Sequence, residues 1–98
     1  MVMKLIDSDK EEAVRELSKK GWKYESERDA ISKTFEFANF IEAFSWMTMV
    51  AIWAEKLNHH PEWSNVYKKV EVLLTTHDCG GISDLDLQMA KKMDLFME

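Results

Sequence analysis

Cysteine, proline and glycine are scarce in this 98-residue sequence, with one Cys, one Pro and three Gly. The lone thiol, Cys79, excludes a disulfide within the chain and fits a reducing compartment. It lies in the turn Asp78-Cys79-Gly80-Gly81 with no second thiol nearby in sequence, so a nucleophilic role is not expected. No Pro-rich, Ser-rich or low-complexity stretch and no internal repeat marks a linker, which points to one domain over residues 1–98. Basic residues are outnumbered, 13 Lys and Arg against 18 Asp and Glu, for a net charge of −5, and the two signs are interspersed. Direct nucleic-acid binding is therefore not expected, because phosphate contact needs clustered Lys and Arg. No apolar run approaches the roughly 20 residues that span a bilayer. The opening Met-Val-Met-Lys-Leu-Ile-Asp-Ser-Asp-Lys-Glu-Glu turns acidic where a signal peptide would need its apolar stretch. The expectation is a soluble, cytoplasmic protein that does not engage membranes.

Aromatic and apolar surface, by contrast, is plentiful. Four Trp, five Phe, two Tyr and seven Met are many for a chain short enough to bury only roughly two-thirds of its unfolded surface. Packing between copies is the simplest outlet, so a homo-oligomer is expected.

Periodicity gives three helices with strands between them. The first helix is predicted to start at Ser8, with Ser8 and Glu11 as a capping box, and to stop at Gly21, with Val14 and Leu17 facing the core. Trp22–Tyr24 and Ala30–Ala38 read as a hairpin in which Ile31, Phe35 and Phe37 share a face. Asn39 and Glu42 open a second helix, predicted from Phe40 to His59 and ended by Pro61. Its apolar residues cover about half the cylinder, more than a one-sided surface helix needs. One part is expected to cover the sheet and the rest to meet another copy. Ser64–His77 reads as one long strand with Val66, Val70, Val72 and Leu74 on one face. A third helix is predicted from Ser83, with Asp86 as capping partner, Ile82 and Leu87 as a hydrophobic staple, and Leu85, Met89, Met93 and Phe96 as its core stripe. Such segregation favours an α+β fold, an antiparallel sheet with helices on one face.

All three histidines fall in two short segments, Glu55-Lys56-Leu57-Asn58-His59-His60-Pro61-Glu62-Trp63 and Thr75-Thr76-His77-Asp78. On a continuous helix Glu55 and His59 lie about 40° apart, where a carboxylate can orient an imidazole. His59 and His60 would also suit a helix C-terminus simply as cations. Trp22 and Trp63 are core candidates that could alternatively form an aromatic wall for a flat heterocycle. Two site chemistries compete. One is histidine acid/base catalysis; the other is zinc held by His59, His60, His77 and Glu55. The second is disfavoured, because H-E-x-x-H is absent and adjacent histidines on a helix point about 100° apart.

These segments, with Asn65-Val66-Tyr67, Thr76-His77-Asp78-Cys79-Gly80-Gly81-Ile82-Ser83 and Asp86, closely resemble the signature of the pterin-4a-carbinolamine dehydratases, also called dimerization cofactors of a homeodomain transcription factor. Gly21-Trp22 and Arg28-Asp29-Ala30-Ile31 extend the similarity, which covers roughly Gly21 to Asp94. The resemblance implies a four-stranded antiparallel sheet with three helices packed on one face, a homodimer or tetramer, and no metal or organic cofactor. It implies dehydration of 4a-hydroxytetrahydrobiopterin to quinonoid dihydrobiopterin in tetrahydrobiopterin recycling. By position His59, His60 and His77 match the family's essential histidines and Glu55 its supporting carboxylate, while Asn58, Thr75, Thr76 and Asp78 fall in its pterin-binding segments. Expected partners are the pterin substrate, an aromatic amino acid hydroxylase that makes it and, in animals, a homeodomain transcription factor with a nuclear pool. Asn58 stands where better-known animal members carry Asp, and Leu85 where they carry Arg. His59 and His77 are expected to transfer protons, His60 to position substrate and Glu55 to tune His59.

Overall fold

The computed structural model describes residues 3–97; of the domain expected over 1–98, and of the opening segment, residues 1, 2 and 98 lie outside the described residues. The chain runs through α1 (Asp7–Ser18), β1 (Lys23–Glu25), β2 (Ala30–Glu36), α2 (Phe40–Leu57), β3 (Glu62–Val66), β4 (Lys69–Leu74), a 3-10 turn (His77–Cys79) and α3 (Asp84–Leu95). Every strand pairing is antiparallel, in the order β1-β2-β4-β3. The fold is the α+β arrangement of four strands and three helices expected from the sequence.

Alternation along the central strands builds the core. Ile31 and Phe35 of β2 oppose Leu74 and Val70 of β4, and all four are buried together with Val72. Against this face lie Ala43, Trp46, Val50 and Ala54 of α2 and Met89, Ala90 and Met93 of α3, with Val14 and Leu17 of α1 at its margin. Trp46 is the hub. Its ring sits 4.5 Å from that of Phe35 and 5.3 Å from that of Phe37, and its indole N–H donates to Met93 O at 3.1 Å, so its one polar atom is satisfied. Lys33 shares the inward parity of β2, yet its amine escapes to Asp94 and to Lys20 O at 2.7 and 2.6 Å. The same amine lies over the Phe35 and Trp22 rings, 4.8 and 5.7 Å from their centres.

Several sequence expectations need correction. Ser64–His77 is not one strand but the hairpin β3–β4, turned at Tyr67, which takes a left-handed conformation at φ 52°. Val66 therefore points outward, 76% exposed, instead of joining Val70 and Val72. Apolar residues on both sides of a turn without glycine or proline masked the break. At α1 no Ser8–Glu11 box forms: Ile6 is the cap and the helix already starts at Asp7. Leu5 N–H is tied to Ile82 O at 2.8 Å, so the chain leaves that bridge straight into the helix. Around α3 the core stripe is Met89, Ala90 and Met93, with Phe96 packed against it as expected, and Leu85 stands outside the core cluster. The Ser83–Asp86 capping box is complete, with both halves present.

Two helix ends direct the chain toward the histidines. Gly21, at φ 95°, closes α1 with Trp22 N–H on Leu17 O and Gly21 N–H on Ser18 O, a Schellman pair. Asn58 does the same for α2 at φ 52°, with His59 N–H on Ala54 O and Asn58 N–H on Glu55 O. Asparagine and aspartate both tolerate this left-handed conformation. The helix thus stops at Leu57 rather than His59, and Asn58, not Pro61, ends it.

The far side of α2 leaves Phe40, Ile41, Phe44, Met49 and Ile52 exposed. Among the described residues no helix is long and apolar enough to cross a membrane.

Candidate active site

Because Asn58 swings the chain off the helix axis, His59 and His60 leave α2 in different directions. His59 turns inward and is 8% exposed. Its Nε2–H donates to Asp86 Oδ1 at 2.6 Å, and Asp86 is wholly buried. His60 turns outward, and its Nε2–H meets Glu55 Oε1 at 2.6 Å. The expected Glu55–His59 pair is thus replaced: Glu55 serves His60 and Asp86 serves His59. The reason is geometric, since an i,i+4 pairing requires both residues to be helical and His59 is not.

Asp86 anchors a closed polar network. Its Oδ2 accepts from Thr76 Oγ1 at 2.7 Å and from Ser83 N–H at 2.9 Å, while the Thr76 and Ser83 hydroxyls lie 2.6 Å apart. A buried carboxylate needs such partners, and the network locks the end of β4 to the start of α3. An ionised carboxylate can only accept, so it fixes the His59 proton on Nε2 and leaves Nδ1 to exchange one.

His77 arrives from the other side on the 3-10 turn. Thr76 and Gly81 pair across that turn, N–H to O at 3.0 and 3.3 Å, and Gly80 closes it at φ 73°. Gly81 is confined as well, because a Cβ there would fall 2.1 Å from Asp29 Oδ2. Gly81→Ala is accordingly expected to cost about 1–3 kcal/mol by overpacking; urea unfolding of the variant checks it. Asp29 is itself in the left-handed region, and its backbone carbonyl accepts from Thr75 Oγ1 at 3.1 Å. Burial alone would raise the Asp29 carboxyl, but hydrogen bonds from Tyr24 and Lys10 and the charges of Lys10 and Lys4 outweigh it and hold the group below the usual carboxylate range.

The result is one cavity of about 240 Å³ lined by Asn58, His59, His60, Thr75, Thr76, His77 and Asp78. Of the polar residues singled out in the two histidine segments, seven line it and Glu55 does not. Trp22 and Trp63 are elsewhere, which corrects their reading as ligand walls. Trp22 is a core residue, 2% exposed, with its indole N–H on Asp94. Trp63 packs toward Trp46, ring centres 6.3 Å apart, and borders a larger groove of about 480 Å³ on the open face of the sheet. Among the described residues no three His, Cys, Asp or Glu side chains are placed to hold a metal ion.

Sequence reasoning treated Asp86 only as a helix cap and did not assign Glu62, which lies 3.4 Å from His77 Nε2. Asp86 had a readable signal: it shares the apolar face of α3 with Met89, Ala90 and Met93, an unusual place for a carboxylate without a buried partner.

Fold and site together define a compact α+β domain with a histidine-lined polar pocket at one end of its sheet. The chain belongs to the pterin 4 alpha carbinolamine dehydratase family, whose sequence pattern matches residues 4–96. Proteins named as pterin-4-alpha-carbinolamine dehydratases are similar to it in Dinoroseobacter shibae, 58% identical over 96% of this chain and 97% of that one, and in Jannaschia sp., 60% identical over 96% of each. A crystal structure of a transcriptional coactivator/pterin dehydratase from Brucella melitensis superposes with a TM-score of 0.90 at 43% identity, covering 97% of this chain and 99% of that one. A pterin dehydratase-like protein identified as a RuBisCO assembly factor in the alpha-carboxysome shares the fold, with a TM-score of 0.66 at 17% identity over 78% of this chain and 88% of that one.

Proposed function

We propose that this chain, acting as a single domain, dehydrates 4a-hydroxytetrahydrobiopterin to quinonoid dihydrobiopterin, a step of tetrahydrobiopterin recycling. The observation that carries this reading is that His59, His60 and His77, from two separate segments, line one cavity. Dehydration removes hydroxide from C4a and a proton from N5, so one group must donate a proton to the leaving oxygen while another accepts one. Imidazoles can do either near neutral pH. His59, with its proton fixed on Nε2 by Asp86, and His77, exposed at the mouth, are assigned the proton transfers. His60, held by Glu55, positions the ring, and Asn58, Thr75, Thr76 and Asp78 supply polar contacts to it. The cavity is below the roughly 300–1,000 Å³ usual for drug-sized ligands, which suits a bicyclic head whose side chain stays outside.

The substrate is supplied by an aromatic amino acid hydroxylase in this reading, in the cytoplasm. The exposed apolar side of α2 is the surface on which copies of the chain associate. The Brucella melitensis neighbour, by its name a coactivator as well, makes a transcription-factor partner on that surface the second reading, with a nuclear pool only where the source is an animal. A rapid-mixing assay with 4a-hydroxytetrahydrobiopterin tests the enzyme reading: dehydration faster than in buffer supports it, and a rate equal to buffer leaves the binding role alone.

A further inference from the structure

Each of the three histidines meets a carboxylate, but the third pairing differs in kind. His59 has buried Asp86 and His60 has exposed Glu55, each at 2.6 Å. Among the described residues His77 has only Glu62, the first residue of β3, with Nε2 and Oε2 3.4 Å apart. Glu62 is not free to move toward it. Both of its oxygens are taken by Arg28, Nη1 to Oε1 at 2.7 Å and Nη2 to Oε2 at 2.6 Å. Arg28 belongs to the turn between β1 and β2, and those strands do not pair with β3. The fork therefore spans the end of the sheet from one hairpin to the other and sets the Glu62 carboxylate beside the pocket mouth.

We propose that Glu62, clamped by Arg28, is the positioning carboxylate of His77, and that the arginine moderates how strongly Glu62 draws positive charge onto that imidazole. The inference rests on the reading of His77 as a proton-transferring group. A bidentate guanidinium fork gives Glu62 a fixed place that a lone exposed glutamate would lack. The hydrogen bonds from Arg28 keep the Glu62 carboxyl below its ordinary range, against a smaller opposing effect of burial and with help from His77. The carboxylate thus stays ionised while its charge is shared between two cations. The other titratable groups around His77 are Asp78 and Cys79 in its own turn and His59 and His60, which line the same cavity. Arg28 and Glu62 are each 45% exposed, and exposed pairs contribute little to folding, so the fork is better explained by what it holds than by stability.

The two halves of the fork make opposite predictions. In Glu62→Gln, His77 loses its anionic neighbour, and the pH profile of kcat/KM moves to lower pH, with kcat down about tenfold at the wild-type optimum, a part of the about 10²- to 10⁴-fold that proton transfer supplies. In Arg28→Gln, Glu62 is released to His77 and the profile moves to higher pH. A merely structural pair would move both profiles together or neither. Rapid-mixing pH profiles of both variants, beside His77→Ala, decide the matter. Opposite displacements support the proposal. Unchanged or parallel profiles, with His77→Ala inactive, overturn it and leave the proposed function standing; a fully active His77→Ala overturns it together with the assignment of His77 to proton transfer, while the dehydration itself stands.

Discussion

Replacing Asp86 with alanine is expected to cost about 3–5 kcal/mol of folding stability, the range for stripping one partner from a buried pair. The size follows from what is left behind. Thr76 Oγ1, Ser83 N–H and His59 Nε2–H all donate to this carboxylate; Ser83 N–H and His59 Nε2–H would be buried without that acceptor, and Thr76 Oγ1 would keep only the Ser83 hydroxyl. Domains of this size have about 5–15 kcal/mol in total, so the variant should unfold at a much lower urea concentration than the parent. Asp86→Asn keeps the volume but offers one acceptor oxygen where two are used. It is expected to fold and to lose turnover by about tenfold or more, because the His59 ring is no longer fixed. A stable, fully active alanine variant would show that the network between β4, α3 and His59 is incidental.

The second large effect is on chemistry alone. His59→Ala and His77→Ala are each expected to lower kcat by about 10²- to 10⁴-fold, the usual contribution of a general acid or base. His60→Ala should act mainly on KM, since that imidazole is assigned to substrate positioning. His77 is 78% exposed and held by one carboxylate at 3.4 Å, so its loss should leave the unfolding midpoint almost unchanged. Rapid-mixing kinetics on the three variants, paired with denaturant unfolding, separate the two kinds of loss. Unimpaired turnover in His77→Ala would contradict the assignment.

Much of the fold was legible because its signals are local. Ile31 and Phe35 on one parity of β2, Asn39 as the α2 cap, Gly21 at the end of α1 and the Ser83–Asp86 box each depend on a few neighbouring residues. The β3–β4 hairpin was not, since Tyr67 adopts a left-handed turn that its residue type does not advertise. In the site, the lining residues were read from two short segments, but the partners of the histidines were not. Assigning Glu55 to His59 assumed a helix two residues too long. Asn58 ends it first, and that single conformation sends His59 to Asp86, 27 residues away, and His60 to Glu55. Arg28 and Glu62 are 34 residues apart, and no local pattern joins them. Trp22 went to the core and Trp63 packs partly buried against it, because a small domain needs its large apolar side chains there.

The central claim is that a bicyclic ring sits among three imidazoles delivered by the end of α2 and the turn after β4. A crystal structure of the protein soaked with a non-reactive dihydropterin tests it most directly. The ring is expected in the pocket formed by Asn58, His59, His60, Thr75, Thr76, His77 and Asp78, with imidazole nitrogens within about 2.6–3.2 Å of its polar edge or one water away. A ring bound instead in the groove over the open face of the sheet, beside Trp63 and Glu71, with the histidine pocket empty, would contradict the account.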